Sequence, residues 1–161
     1  MYTYIYADLH ELAHVVAVAD ISPNLARNRA EALTAAYRAE SAIERARAAS
    51  EQHSEHRVAA YARAESAEVA SNVVIKNFGH HRDLLEHMDL DAIVVLTAHS
   101  VRKTPTIDGA TAGCHVFTQG PMAKSIAEAD EMIGAVAAAD INFHAQVGSR
   151  YSRGILHFNA R

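Results

Sequence analysis

The chain has 161 residues, half of them hydrophobic, and a formal charge of -4 at pH 7. That length buries one substantial core, and the mild acidity, with no basic patch interleaved with aromatics, excludes a nucleic-acid-binding surface. No apolar run approaches the roughly 18 residues of a membrane span and the start lacks a basic region followed by an apolar segment, so a cytoplasmic protein with no membrane contact is expected.

Met1 to Ala13 places Ile5, Leu9 and Leu12 at helical spacing. His14 to Asp20 reads as a strand ending in an acid, and Ser22-Pro23 opens a helix with a capping hydroxyl and a proline in its first turn. From Asn24 to about Ala70 the sequence is rich in Ala, Arg and Glu without Gly or Pro, a composition of high helicity. Within it Ala35-Ala36-Tyr37-Arg38-Ala39-Glu40-Ser41-Ala42 recurs almost unchanged as Ala59 to Ala67. The repeat suggests a helical hairpin bent in the polar stretch Ser50–His56. This 24–70 segment reads as a solvated, alanine-rich insertion, with a partner-binding arm as the alternative. His53 and His56, with Glu51 and Glu55, have the side chains of metal ligands, but no second cluster has ligand spacing and no metal is expected.

Val73 to Lys76 reads as a short strand, and Gly79 to Met88 as a helix with Leu84 and Leu85 facing inward. Ala92 to Leu96 is an unbroken apolar run, which suits a central parallel strand covered on both faces. Ser100 or Thr104 can cap a helix carrying Ile107 and Ala110, and Gly113 supplies its end. The strand His115–Thr118 follows at once. Strand, crossover helix and strand make a right-handed unit whose ligands lie at the carboxyl ends of the strands, here Thr97-Ala98-His99 and Gln119-Gly120-Pro121. A helix from Lys124 to about Asp140 carries Ile126, Met132, Ile133 and Val136, and 142–147 forms the last strand. The lone Cys114 has no partner for an internal disulfide and is read as a packing residue. The expected fold class is α/β, a Rossmann-like doubly wound parallel sheet.

Three stretches, Leu96-Thr97-Ala98, Ala112-Gly113-Cys114-His115-Val116 and Gln119-Gly120-Pro121, resemble the glucose-fructose oxidoreductase, inositol dehydrogenase and MocA (Gfo/Idh/MocA) family. Members carry Thr-Pro, Ala-Gly-Lys-His-Val and Glu-Lys-Pro there. Val16 to Pro23 is similar to the family's second strand and the turn after it. The resemblance implies an NAD(P)-dependent oxidoreductase acting on a sugar, polyol or related hydroxyl compound, with nicotinamide dinucleotide and a sugar-like substrate as partners and a possible homo-oligomer.

By the same resemblance Asp20, with Ile21 and Ser22, contacts the adenosine ribose and favours NAD over NADP. Thr97, Ala98, His99, Gln119, Gly120, Pro121 and Arg150, the last in the family's Arg-Phe/Tyr pair, line the rest of the cofactor site. The family's first strand and glycine-rich turn have no counterpart ahead of Asp20: the first glycine is Gly79. Backbone amides need glycine there to approach a pyrophosphate. The expectation is therefore an incomplete cofactor domain over 1–161, beginning inside its first helix, lacking the C-terminal substrate domain and inactive in this form. Gly120 stands where the family has the lysine that stabilises the developing oxyanion, and His99 and Lys124 are weak candidates to replace it. The alternative is a non-catalytic ligand-binding or oligomerising protein on the same fold.

Overall fold

The structure, a computed structural model, describes residues 10–146. The expectations for Ile5, Leu9, Val147 and Arg150 lie outside them. Among the described residues the strands fall into two parallel ladders, one of two strands and one of three, and the chain divides into two compact units after Leu84.

In the first unit β1 (Ala17–Ala19) is followed by α1 (Pro23–Ser50), α2 (Ser54–Asn72) and β2 (Lys76–Phe78). β1 and β2 pair in parallel, Ala17 opposite Lys76 and Ala19 opposite Phe78. The second strand thus starts where Val73–Lys76 was expected to end. α2 continues to Asn72, and Val73 closes it by donating its N–H to Ala70 O at 3.2 Å. Ile75, expected in the strand, lies just ahead of it in a core cluster with Ala30, Leu33, Ala36, Tyr37 and Ala70, against which Val15 and Val18 pack. Burying Leu33 and Ile75 stabilises by about 1.5–3 kcal/mol each. Tyr37 is fully buried, its oxygen accepting the Val15 N–H at 3.4 Å, and burial pushes its phenol up from the ordinary value.

α1 and α2 pack side by side through small residues, Ala48, Ala60, Ala64 and Ala67 all being buried. Glu51–His53 is the break between them. Ion pairs lace the hairpin: Arg45 to Glu68, and Arg63 to both Glu11 at 2.6 Å and the buried Glu44 at 3.6 Å. The sequence repeat does not produce equal environments. Tyr37 is fully buried whereas Tyr61 is 48% exposed, because α1 packs on β1, β2 and α2 while α2 packs chiefly on α1. Leu12, read from sequence at helical spacing with Ile5 and Leu9, sits in a turn and is 84% exposed.

α3 (His81–His87), with Leu84 buried, runs through the division. The second unit comprises β3 (Ala92–Val95), a short 3-10 turn (His99–Val101), α4 (Lys103–Thr111), β4 (His115–Gln119), α5 (Ile126–Ala139) and β5 (Phe143–Gln146). The ladder order is β3-β4-β5, with Ile93 opposite Val116 and Thr118 opposite Ala145. β4, not β3, is the middle strand of this ladder. Among the described residues of this unit, the apolar run of β3 is covered on one face only. Val95 is buried and Ile93 half-buried, while Val94 on the other face is 44% exposed. The cause is strand alternation, which sends Ile93 toward α4 and Val94 away from it.

Neither expected hydroxyl caps α4. Ser100 lies in the 3-10 turn, Thr104 falls inside the first helical turn, and Arg102 occupies the cap position. Gly113, at φ 82°, ends the helix in the left-handed region that glycine enters without strain. Cys114 is buried, donates to Leu90 O at 3.3 Å, and is pushed up from the usual thiol value by burial, with Asp89 and Asp91 adding to the effect. That is an inert packing thiol. α5 is capped by Ser125, whose hydroxyl accepts the Glu128 N–H at 3.2 Å. Its inward residue is Met132, whereas Ile126 and Ile133 are 82% and 52% exposed, so the inner stripe is narrower than the apolar pattern implied.

α4 lies tight on its ladder at Gly109. A Cβ there would stand 2.1 Å from Ile93 Cδ1 and 3.0 Å from Ile93 Cγ1. Gly109→Ala is expected to destabilise the chain by about 1–3 kcal/mol despite the higher helix propensity of alanine, because Ile93 must leave its rotamer. Chemical denaturation checks this. An unchanged midpoint would mean that Ile93 has room to move.

Candidate functional site

Each unit contributes strand ends of the kind that take ligands in an α/β fold. In the first, Asp20 follows β1 directly and its N–H donates to Phe78 O at 3.1 Å, which continues the ladder by one residue. One carboxylate oxygen accepts the Ser22 N–H at 2.8 Å. Asp20, rather than the Ser22 hydroxyl, therefore serves the start of α1: Ser22 occupies the cap position but its side chain makes no capping bond, while its carbonyl accepts the Ala26 N–H at 3.0 Å. Asp20 and Ser22 are half-buried and Ile21 is 89% exposed. The turn thus presents one half-buried carboxylate, held by a backbone donor, at the carboxyl end of a parallel strand.

In the second unit the ends of β3 and β4 are joined by a residue that no motif marked. Arg102 is 3% exposed, and its guanidinium donates to the carbonyls of Thr97, Gln119 and Pro121. These carbonyls belong to the two segments singled out from sequence, Thr97-Ala98-His99 and Gln119-Gly120-Pro121. A planar fork with several donors can hold three acceptors at once, which a lysine cannot do in the same geometry. The only sequence signal was a cation placed just ahead of Lys103-Thr104-Pro105, and that reads equally well as a solvated loop residue. Gly120 N–H also donates to Gln146 O at 2.7 Å, tying the loop after β4 to the end of β5. The Gly120-Pro121 peptide is cis.

The charged groups around this loop are paired. Lys124 Nζ lies 3.1 Å from Glu128 Oε1, and the Lys124 N–H donates to the same carboxylate at 3.4 Å. Lys124 holds the Glu128 carboxyl below the usual carboxylate range. Lys103 reaches from α4 to Glu131 on α5 at 2.9 Å, which raises the Lys103 ammonium above its ordinary value. His99 and its neighbours Thr97 and Ala98 are exposed. The strand ends therefore offer exposed backbone and one imidazole, and the nearest ammonium along the chain is engaged with its own helix. Arg150 lies outside the described residues.

No curated protein matches the sequence. Among solved structures, a probable dehydrogenase from Thermotoga maritima superposes with a TM-score of 0.64 at 18% identity, over 98% of this chain and 36% of that one. The WlbA dehydrogenase from Bordetella pertussis, solved in complex with NADH and UDP-GlcNAcA, gives 0.58 at 22% identity, over 92% and 32%. Myo-inositol 2-dehydrogenase from Lactobacillus plantarum gives 0.50 at 21% identity, over 60% and 29%. The chain thus spans about a third of the length of these proteins, and at such identities the likeness is one of fold. Residues 34–146 match the family described as "Oxidoreductase family, NAD-binding Rossmann fold". On that match, which takes in both strand ends of the second unit, the chain belongs to the Gfo/Idh/MocA oxidoreductase family.

Proposed function

We propose that the chain is the cofactor-binding part of an NAD(P)-dependent oxidoreductase acting on a sugar, a polyol or a related hydroxyl compound. The observation that carries this reading is the β3–α4–β4 unit, whose two strand ends Arg102 draws together at the place where parallel sheets take ligands. Thr97, Ala98, His99, Gln119, Gly120 and Pro121 line the nicotinamide side. Asp20, with Ile21 and Ser22, takes the adenosine ribose hydroxyls through the carboxylate oxygen that Ser22 does not use, and so favours NAD over NADP. The NADH and UDP-GlcNAcA bound by the WlbA dehydrogenase, and the inositol named for the Lactobacillus plantarum enzyme, support the cofactor and the substrate class.

Two sequence features set the limits of this activity. The family's glycine-rich turn, over which backbone amides approach a pyrophosphate, has no counterpart between residue 1 and Gly79. With Gly120 at the family's lysine position, no side chain there stabilises an oxyanion. Gly120 is also the observation that favours the second reading, a non-catalytic ligand-binding or oligomerising protein on the same fold.

Calorimetric titration tests the cofactor assignment. The chain by itself is expected to bind NAD weakly or not at all, short of a dissociation constant in the low micromolar range, about 8 kcal/mol. A variant given a relative's glycine turn ahead of residue 10 should bind NAD in the micromolar range. Asp20→Ala in that variant should cost about tenfold or more, as expected for hydrogen bonds to a charged group. A well-folded graft that ignores NAD would overturn the assignment, and low-micromolar binding by the unmodified chain would show that another loop performs the task of the turn.

A further inference from the structure

At the bend of the helical hairpin, three side chains that the cofactor site does not use converge. Glu51 closes α1, His53 is the residue ahead of α2, and His56 lies in the first turn of that helix. One ligating atom from each lies within 4.8 Å of the other two. Glu51 Oε1 is 3.2 Å from His53 Nδ1, and Glu51 Oε2 is 3.9 Å from His56 Nδ1. A tetrahedral ion with bonds of about 2.0–2.1 Å needs donors about 3.3 Å apart, so the three side chains, within 4.8 Å of one another, would have to draw together by side-chain rotation to share one. Glu55, which the sequence groups with these residues, is not part of the set.

We propose that Glu51, His53 and His56 form a site for a borderline divalent cation of the zinc class at the bend between α1 and α2. Two neutral imidazoles and one carboxylate are the donor set such ions take, with water completing the shell; magnesium and calcium prefer oxygen donors alone. The backbone preorganises the carboxylate, because the His53 N–H donates to Glu51 Oε1 at 2.9 Å. The positive end of the α2 dipole opposes a cation weakly, and the Glu51 charge offsets it. His53 and His56 are 80% and 73% exposed, so the site opens directly to solvent. A bound ion would pin the end of α1 to the start of α2.

The test is calorimetric titration of the chelator-treated chain with zinc sulfate, repeated with His53→Ala, His56→Ala and the double variant His80→Ala, His81→Ala. One saturable zinc site below about 100 μM is expected. Loss of either His53 or His56 should weaken it by at least about tenfold, and loss of His80 and His81 should leave it unchanged. Zinc should also raise the Tm of the unmodified chain and not that of His56→Ala, since an ion bound only by the folded state stabilises it. Absence of saturable binding, or equal weakening by the His80, His81 double variant, would overturn the proposal. Circular dichroism confirms that each variant keeps its helices.

Discussion

Arg102→Ala is expected to lower the unfolding free energy by about 3–5 kcal/mol, the largest stability effect of any single side chain in the second unit. Hydrogen bonds to a charged donor contribute about 1.5–3 kcal/mol each. The sum over three carbonyls is discounted because Thr97 and Pro121 are exposed residues, where water replaces part of what is lost. At about 2–4 °C per kcal/mol for a chain of this size, Tm should fall by about 6–20 °C. Arg102→Lys should fall between, since it keeps the charge but not the fork. Thermal unfolding of both variants checks the ordering. Equal losses would show that charge alone matters, and a loss under about 1 kcal/mol for alanine would remove Arg102 from its structural role.

The second large effect concerns turnover. In a chimaera that joins this chain to the glycine turn and substrate domain of a relative, Gly120→Lys should raise dehydrogenase activity by about two to three orders of magnitude. A donor aimed at the reacting oxygen is typically worth about 3–4 kcal/mol in the transition state. Cofactor affinity should change little, because the lysine acts on that oxygen and not on the pyrophosphate. The split between turnover and NAD affinity separates this role from a packing effect. If the glycine chimaera already turned over a polyol at about 10 per second, a usual enzyme rate, the lysine would be dispensable and His99 the next residue to change. Lys124 ranks below it because its ammonium is already paired with Glu128.

The strand-helix-strand core of the second unit was legible because its signals are local. An apolar run, a glycine that must adopt positive φ and a β-rich pentapeptide each fix a backbone conformation without help from distant residues. What escaped the sequence was set by tertiary neighbours. β3 looked doubly covered, but apolarity does not say how many faces find a partner, and Val94 has none comparable to that of Ile93. Val73 to Lys76 has the residues of a strand, yet Val73 is used to close α2 and the ladder with β1 begins only at Lys76. Ile126 and Ile133 belong to the apolar pattern of α5, but packing selected the stripe through Met132. The part of Arg102 in the site was invisible for a related reason. Its acceptors are backbone carbonyls, which every residue has and no motif records.

A seam built from alanines recognises the opposite helix by closeness and not by shape, so α2 of another molecule would fit α1 nearly as well as its own does. Straightening Glu51–His53 would convert the hairpin into an extended arm open to exchange between two chains, with the same contacts and the same ion pairs re-formed across the exchange. What decides between closing and swapping is then the tether. A link of three residues holds the two helices at an effective concentration of the order of millimolar. At micromolar protein the arm folds back on itself, and exchange becomes competitive only where many copies are crowded together, as on a nascent polysome or in an overexpressing cell.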